Sequence, residues 1–249
     1  MKNSHLWKAT CLNTLISIAL FAALFGLLWL CETLIPDLEL LHWGDAAWLV
    51  GIPASVIGVA YILTIKDPAN YTGFYAGILM SVLLGVQFFL QSQYDSTFLY
   101  FCVFIPFQVK SILNWSKPKQ SDEPFSPEFL SMRQMLLSLL VFAGIIVADY
   151  MLATFAFQKN GLGDNVWLKL FNAILIASSV LANFWLIYRK NDSWIYWLIY
   201  SLAGIGLFIL IHNIFSIVLF TFFLVINSMA GIAWIRSTPK EKYGWLRGK

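Results

Sequence analysis

Residues 193–235 read SWIYWLIYSLAGIGLFILIHNIFSIVLFTFFLVINSMAGIAWI and contain no Asp, Glu, Lys or Arg. A helix needs about 20 largely apolar residues to cross the hydrocarbon core of a bilayer, so this stretch is long enough to cross twice. Its main polar break is the pair His212-Asn213. The stretch therefore predicts a hairpin of two membrane helices that turns at this pair.

The rest of the chain has the same character. Hydrophobic residues make up 59% of the 249 residues and charged residues 12%, whereas an ordinary soluble domain carries about 25% charged residues. A chain this apolar is predicted to lie largely within a lipid bilayer. The net charge of +3 is too small to indicate a nucleic-acid partner.

Outward from the hairpin, six more apolar stretches bring the predicted number of crossings to eight. They are Leu12–Cys31, Ala46–Ile65, Tyr71–Gln91, Thr97–Asn114, Arg133–Phe157 and Leu170–Tyr188, the last beginning near Val166. The first is longer than the apolar region of a signal peptide and no small-residue cleavage pattern follows it, so we interpret it as a retained helix.

The basic residues support this number of crossings. With eight spans and both termini in the cytoplasm, all 16 Lys and Arg residues except Lys159 and Lys169 lie on the cytoplasmic side. Cytoplasmic loops of membrane proteins carry such an excess of basic residues, and a wrong number of spans would scatter it.

An internal repeat divides the spans. Gly44-Asp45-Ala46-Ala47-Trp48 recurs 119 residues later as Gly163-Asp164-Asn165-Val166-Trp167. The same displacement relates further pairs: Gly85 and Gly204, Phe101 and Phe220, Phe104 and Phe223, Gln108 and Asn227, Trp115 and Trp234. Each repeat holds three spans, begins outside and ends inside, so the two repeats are parallel.

The predicted fold is an all-α polytopic membrane protein with an accessory N-terminal helix and a 3+1+3 parallel-repeat core. Sugar transporters of the SWEET type have this arrangement, with substrates near the midplane. The predicted regions are the N-terminus with the accessory helix and outer loop (1–43), the first three-helix repeat (44–116), the cytoplasmic loop and linker helix (117–160), the second three-helix repeat (161–235) and a basic cytoplasmic tail (236–249).

Polar and aromatic side chains within the spans are the candidate substrate contacts. Amides both donate and accept hydrogen bonds, which suits a neutral group bearing amides and hydroxyls, and aromatic faces suit a planar or cationic ring. The candidates are the amides Gln108, Asn227, Gln91, Gln87 and Asn183, and the aromatic residues Trp197, Trp194, Trp48, Trp185 and Tyr200. Contacts between helices and positions in the interfacial aromatic belt are the alternative for each of them.

Asp149 is the one carboxylate well inside a span. It could bind a proton or cation or balance a cationic ligand, but its place on the linker helix favours a structural hydrogen bond. The three cysteines show no spacing typical of a disulfide or a metal site, and no nucleotide-hydrolysing or catalytic motif is present. We therefore expect no cofactor, no bound metal and no enzymatic activity.

A series of short motifs lies along the chain: Asn70-Tyr71, Gln91-Ser92-Gln93-Tyr94, the amide Gln108, Trp115, Arg189-Lys190, Trp194-x-x-Trp197 and Asn227. In the order and spacing of these motifs the chain resembles the PnuC family of vitamin B3 transporters, from about Gly44 to Trp234. The resemblance implies uptake of nicotinamide riboside by facilitated diffusion and trapping by cytoplasmic phosphorylation. It also implies a SWEET-like fold in a bacterial inner membrane and allows a homotrimer.

The chain departs from the family pattern at the helix Leu12–Cys31 and at Gln108, where the family pattern predicts Asn. The alternative function is a substrate-binding membrane subunit for another small vitamin or sugar. Such a subunit would need a partner ATPase, since this chain has no P-loop.

Overall fold

The computed structural model of the protein describes residues 2–35, 46–91, 93–117, 126–156 and 165–243, which are almost entirely helical. The helices are α1 (Lys2–Leu34), α2 (Ala46–Ile65), α3 (Gly73–Leu90), α4 (Tyr94–Phe98, Leu99–Phe104 and Ile105–Trp115, the middle segment π-helical), α5 (Met132–Met151 with the π-helical Leu152–Ala156), α6 (Val166–Ile187), α7 (Ser193–Leu210) and α8 (Ile214–Ser237), followed by a short 3-10 turn (Lys240–Lys242).

The predicted eight apolar helices are confirmed in the described part of the chain. Seven of them are long and apolar enough to cross a membrane, and α2 is a further apolar helix. Helix α2 has the same bounds as the predicted span, whereas α1 (Lys2–Leu34) extends well beyond the start of Leu12–Cys31 and slightly beyond its end. The π-helical segment of α4 interrupts a span that the sequence predicted as one regular helix.

The predicted turn at His212-Asn213 is confirmed. Helix α7 ends at Leu210 and α8 begins at Ile214. His212 takes a left-handed backbone conformation with φ 56°, and the side chain of Asn213 accepts a hydrogen bond from the backbone N–H of Ser216 at 2.9 Å. Such an Asn cap satisfies a backbone donor that the new helix would otherwise leave unpaired.

Two compact units make up the chain. Unit 1 consists of Met1–Ile65 and Asn70–Ile112, and unit 2 of Lys66–Ala69 and Leu113–Lys249. Within unit 1 helix α2 packs against α3, and within unit 2 helix α6 packs against α7.

Corresponding contacts in the two units support the internal repeat. In unit 1 the ring of Phe101 lies against Gly85, and in unit 2 the ring of Phe220, 119 residues later, lies against Gly204. At the start of α6, Asn165 caps the helix by accepting from the N–H of Trp167. The Gly-Asp pairs that open both repeats lie outside the described residues.

Helix α1 is bound to the other helices of unit 1 by a row of polar side chains. Asn13 donates to the carbonyl of Leu63 and to the hydroxyl of Thr64, both at 3.2 Å, and the hydroxyl of Ser17 donates to a backbone carbonyl of α2. Thr10 forms a hydrogen bond with the hydroxyl of Thr72. In an apolar environment such bonds hold helices together specifically, so α1 is an integral part of unit 1 although it precedes the repeat.

Candidate substrate-binding site

Asn227 is the best-defined polar residue of the candidate site in unit 2. Its side chain is 1% exposed, and its Nδ2 donates to the hydroxyl of Ser201 at 3.1 Å and to the carbonyl of Trp197 at 3.4 Å. Its Oδ1 is buried and has no hydrogen-bond partner among the described residues. Asn227 therefore presents an acceptor atom in the interior of unit 2.

Two tryptophans of α7 are also buried in unit 2. They are Trp194 and Trp197, and their indole N–H groups have no hydrogen-bond partner among the described residues. The ring of Trp194 meets that of Trp234 edge-on at 5.4 Å between centroids, and Trp197 meets Tyr200 in the same way at 5.5 Å. Residues three apart share one face of a helix, so Trp194, Trp197 and Tyr200 line the side of α7 that approaches α8.

The equivalent amide of unit 1 is Gln108. It is 2% exposed, and its Nε2 donates to the hydroxyl of Tyr61 at 3.3 Å. Its side chain also lies against Gly77, where an added Cβ would come within 2.9 Å of the amide. Each repeat thus directs its amide N–H₂ to a hydroxyl of its own unit, Tyr61 in one and Ser201 in the other.

Tyr61 and Ser201 were not among the residues predicted from sequence. A buried tyrosine usually finds a partner for its hydroxyl. The presence of Tyr61 within the uncharged span Ala46–Ile65 could therefore have indicated a hydrogen-bonded residue in the protein interior. Ser201 gave a weaker one, because serine in a membrane helix most often bonds only to its own helix.

The remaining predicted residues do not join these clusters in the described contacts. The indole N–H of Trp185 donates to the hydroxyl of Ser138 at 2.8 Å, and Asn183 donates to the carbonyl of Ser179 on its own helix. Gln87 packs on Gly51, and Gln91 is exposed at the end of α3. The side chain of Trp48 lies outside the described residues.

Asp149 accepts a hydrogen bond from Nδ2 of Asn172 at 3.2 Å. This bond joins the linker helix α5 to α6 within unit 2. The interaction supports the structural role that the sequence favoured, since a hydrogen bond stabilises the carboxylate where lipid or protein replaces water.

Arg189, in the loop between α6 and α7, joins three segments of unit 2. Its Nε donates to the carbonyl of Pro68 and its Nη2 to the carbonyl of Trp115, both at 3.2 Å. The guanidinium also lies 4.4 Å above the centre of the Trp115 ring. Burial lowers the pKa of Arg189 to about 10, so the side chain is cationic at neutral pH.

The same loop is tied to the segment that precedes α5. The N–H of Leu130 donates to Oδ2 of the buried Asp192 at 2.8 Å, and the N–H of Asn191 donates to the carbonyl of Glu128 at 2.9 Å. Lys190 Nζ lies 2.6 Å from Oε1 of Glu128. These bonds fix the backbone from which α7, and with it Trp194 and Trp197, begins.

We expect Arg189→Gln to lower the free energy of unfolding by about 2–4 kcal/mol, because it removes two charge-assisted hydrogen bonds and a cation–π contact. Lys190→Gln is the matched control. The Lys190 side chain is 12% exposed and its partner Glu128 is 46% exposed, so solvent screens the ion pair in part and its loss should cost about 1 kcal/mol. Thermal unfolding of both variants in the same lipid or detergent measures the difference. Equal stability of the two variants would contradict the role given to Arg189.

Comparison with known proteins identifies the family and the fold of the chain. The family model described as "Nicotinamide mononucleotide transporter" matches residues 47–236, from the start of α2 to the end of α8, and leaves α1 outside. The chain is also similar to the structure described as "Crystal structure of the Vitamin B3 transporter PnuC", with a TM-score of 0.62 and 16% identity. That likeness covers 91% of this chain and 93% of the other and shows a shared fold.

None of the curated proteins matches the sequence significantly. The family match nevertheless covers most of the chain, and the apolar helices and the fold agree with it. The chain therefore belongs to the nicotinamide mononucleotide transporter family and is a multi-pass membrane transporter of that class.

Proposed function

We propose that the protein carries nicotinamide riboside across the bacterial inner membrane by facilitated diffusion, with both termini in the cytoplasm, and that phosphorylation there traps the product. The observation that carries this proposal is the packed face between α7 and α8, which buries Trp194, Trp197 and Asn227. It combines buried aromatic surface with an amide oxygen that has no partner among the described residues.

Nicotinamide riboside has groups that match this chemistry. Its ring is flat and cationic, and tryptophan faces attract such rings through their π electrons. Its carboxamide and ribose hydroxyls can donate to and accept from amide side chains. Asn227 supplies such an amide in unit 2, and Gln108 supplies the corresponding amide in unit 1.

The charge pattern of α7 and α8 favours the riboside over its phosphorylated form. Residues 193–235 contain no Lys or Arg, so these two helices offer no cation to a phosphate group. Burial of an unpaired phosphate is strongly unfavourable. A carrier that binds the riboside but releases the mononucleotide lets the cytoplasmic kinase reaction draw the substrate inward without ATP use by the carrier itself.

A panel of ligands tests the substrate. We expect nicotinamide riboside to raise the melting temperature of the purified protein in a dose-dependent way, because a ligand at 100 times its Kd stabilises the folded state by about 2.7 kcal/mol. Nicotinamide mononucleotide, thiamine, riboflavin and sugars should cause much smaller shifts. A larger shift with the mononucleotide would contradict the choice of the riboside.

Uptake of labelled nicotinamide riboside into proteoliposomes then tests the mechanism. Facilitated diffusion predicts exchange across the membrane without ATP, an ion gradient or a second protein. If the purified protein binds the riboside but exchange requires ATP and an added ATPase, the alternative of a substrate-binding subunit is correct.

A further inference from the structure

The orientation of the Asn227 amide is determined by its neighbours. The hydroxyl of Ser201 donates its single proton to the carbonyl of Trp197 at 2.9 Å. Toward Asn227 the hydroxyl can therefore only accept. The carbonyl of Trp197, the second neighbour of the amide, is also an acceptor.

Two acceptors on one side of an amide require its N–H₂ on that side. Reversal of the amide would place Oδ1 against the lone pairs of Ser201 and of the Trp197 carbonyl, with two hydrogen bonds lost. The observed direction of both bonds, from Nδ2 to Ser201 and to Trp197, agrees with this reasoning. The carbonyl oxygen of Asn227 is consequently the atom turned to the opposite side.

We propose that Ser201 is a positioning residue which makes the Asn227 position a hydrogen-bond acceptor and thereby selects a carboxamide over a carboxylate on the pyridine ring. The inference rests on the proposed function, since it assumes that the pyridine group reaches Asn227. A carboxamide N–H₂ can donate to Oδ1. A carboxylate has only acceptor atoms, so its oxygens would repel Oδ1 and could form no hydrogen bond with it.

The discrimination should be large because the site is buried. Ser201 is fully buried and Asn227 is 1% exposed, so water cannot readily bridge two opposed acceptors. Sites built around a buried hydrogen bond reject analogues that cannot complete it far more strongly than apolar pockets reject a missing methylene. We expect the wild-type protein to bind nicotinamide riboside at least about 100-fold more tightly than the riboside of nicotinic acid.

Substitution of Ser201 provides the test. In Ser201→Ala the amide keeps only the more distant carbonyl of Trp197, at 3.4 Å, and can turn its N–H₂ toward a carboxylate. The preference for the carboxamide should fall to about tenfold or less, while the protein still binds a riboside. Ser201→Thr retains the hydroxyl and should restore the preference.

Ser178→Ala is the matched control. Ser178 is equally buried and also donates to the carbonyl four residues earlier, at 2.6 Å, but no side-chain amide donates to it in the described contacts. Its removal should leave the preference unchanged. Affinities of both ribosides for the four proteins, by calorimetry or by competition against labelled nicotinamide riboside, give the ratios directly.

The outcomes separate this inference from the proposed function. If Ser201→Ala keeps the wild-type preference, or if the wild-type protein binds both ribosides equally, the role of Ser201 is wrong and the proposed function stands. If the wild-type protein binds neither riboside, the proposed function fails and the inference fails with it. Equal loss of preference in Ser178→Ala and Ser201→Ala would show a general packing effect and would also overturn the inference.

Discussion

Gly204→Ala should prevent normal folding of unit 2 or lower its free energy of unfolding by more than about 3 kcal/mol. An added Cβ would overlap Cδ1 and Cε1 of the Phe220 ring, far inside van der Waals contact. The Phe220 ring is buried and packs against Tyr200, Phe208 and Phe223 at centroid distances of 5.2–5.9 Å. The ring can therefore move only by displacing these neighbours or by separating the two helices.

Other glycines of the chain provide graded controls. At Gly85 the added Cβ would be 2.7 Å from Phe101, but that ring is partly exposed and can shift, so the loss should be smaller. At Gly144 nothing lies within 4 Å, and alanine in a helix should be neutral or stabilise by up to about 1 kcal/mol. Yield of monodisperse protein and melting temperature measure the series. Gly204→Ala protein as stable as Gly144→Ala protein would show that the contact between α7 and α8 is wrong.

Asn227→Ala should weaken binding of nicotinamide riboside by about 10- to 100-fold and slow its exchange in proteoliposomes correspondingly. The substitution removes a buried acceptor, and a ligand donor left without a partner costs about 1–3 kcal/mol. Gln108→Ala should act in the same direction, because the repeat gives Gln108 the equivalent position in unit 1. Calorimetry and counterflow of labelled riboside measure the two effects separately.

Asn114→Ala is a suitable control for the loss of an amide. Asn114 lies near the end of α4 and is only half-buried, and we expect its removal to change affinity by less than about twofold. If Asn227→Ala and Gln108→Ala bound and carried the riboside as the wild-type protein does, the substrate site would lie elsewhere in the molecule.

Much of the fold was predictable from the chain because lipid imposes simple requirements on it. A membrane helix must be apolar and about 20 residues long, and its backbone N–H and C=O groups must form hydrogen bonds within the helix. The positions of spans and turns therefore depend on the local sequence. The bounds of α2 and the turn at His212-Asn213 follow from this. The repeat was also recognisable in the sequence. In the structure the same contact occurs in both units, between Gly85 and Phe101 in unit 1 and between Gly204 and Phe220 in unit 2.

The candidate site was predictable only in part. The amides Gln108 and Asn227 and the pair Trp194 and Trp197 stand out in sequence because polar and indole groups are few and costly in an apolar span. Whether such a group meets substrate, lipid or another helix depends on its direction around the helix axis and on its neighbours. Trp185 illustrates this, because its N–H is bound to Ser138 on α5, 47 residues earlier.

In the uncharged hairpin of residues 193–235, the sequence determined the helices and their turn, and the tertiary structure determined the contacts between them. The length and composition of the hairpin alone were sufficient to predict two membrane helices and the turn between them, because transfer to lipid depends on each segment by itself. Only the packing of α7 on α8 places Ser201 beside Asn227 and so turns the amide oxygen away from both acceptors. That arrangement depends on contacts between residues 26 positions apart, and no local pattern in the chain specifies it.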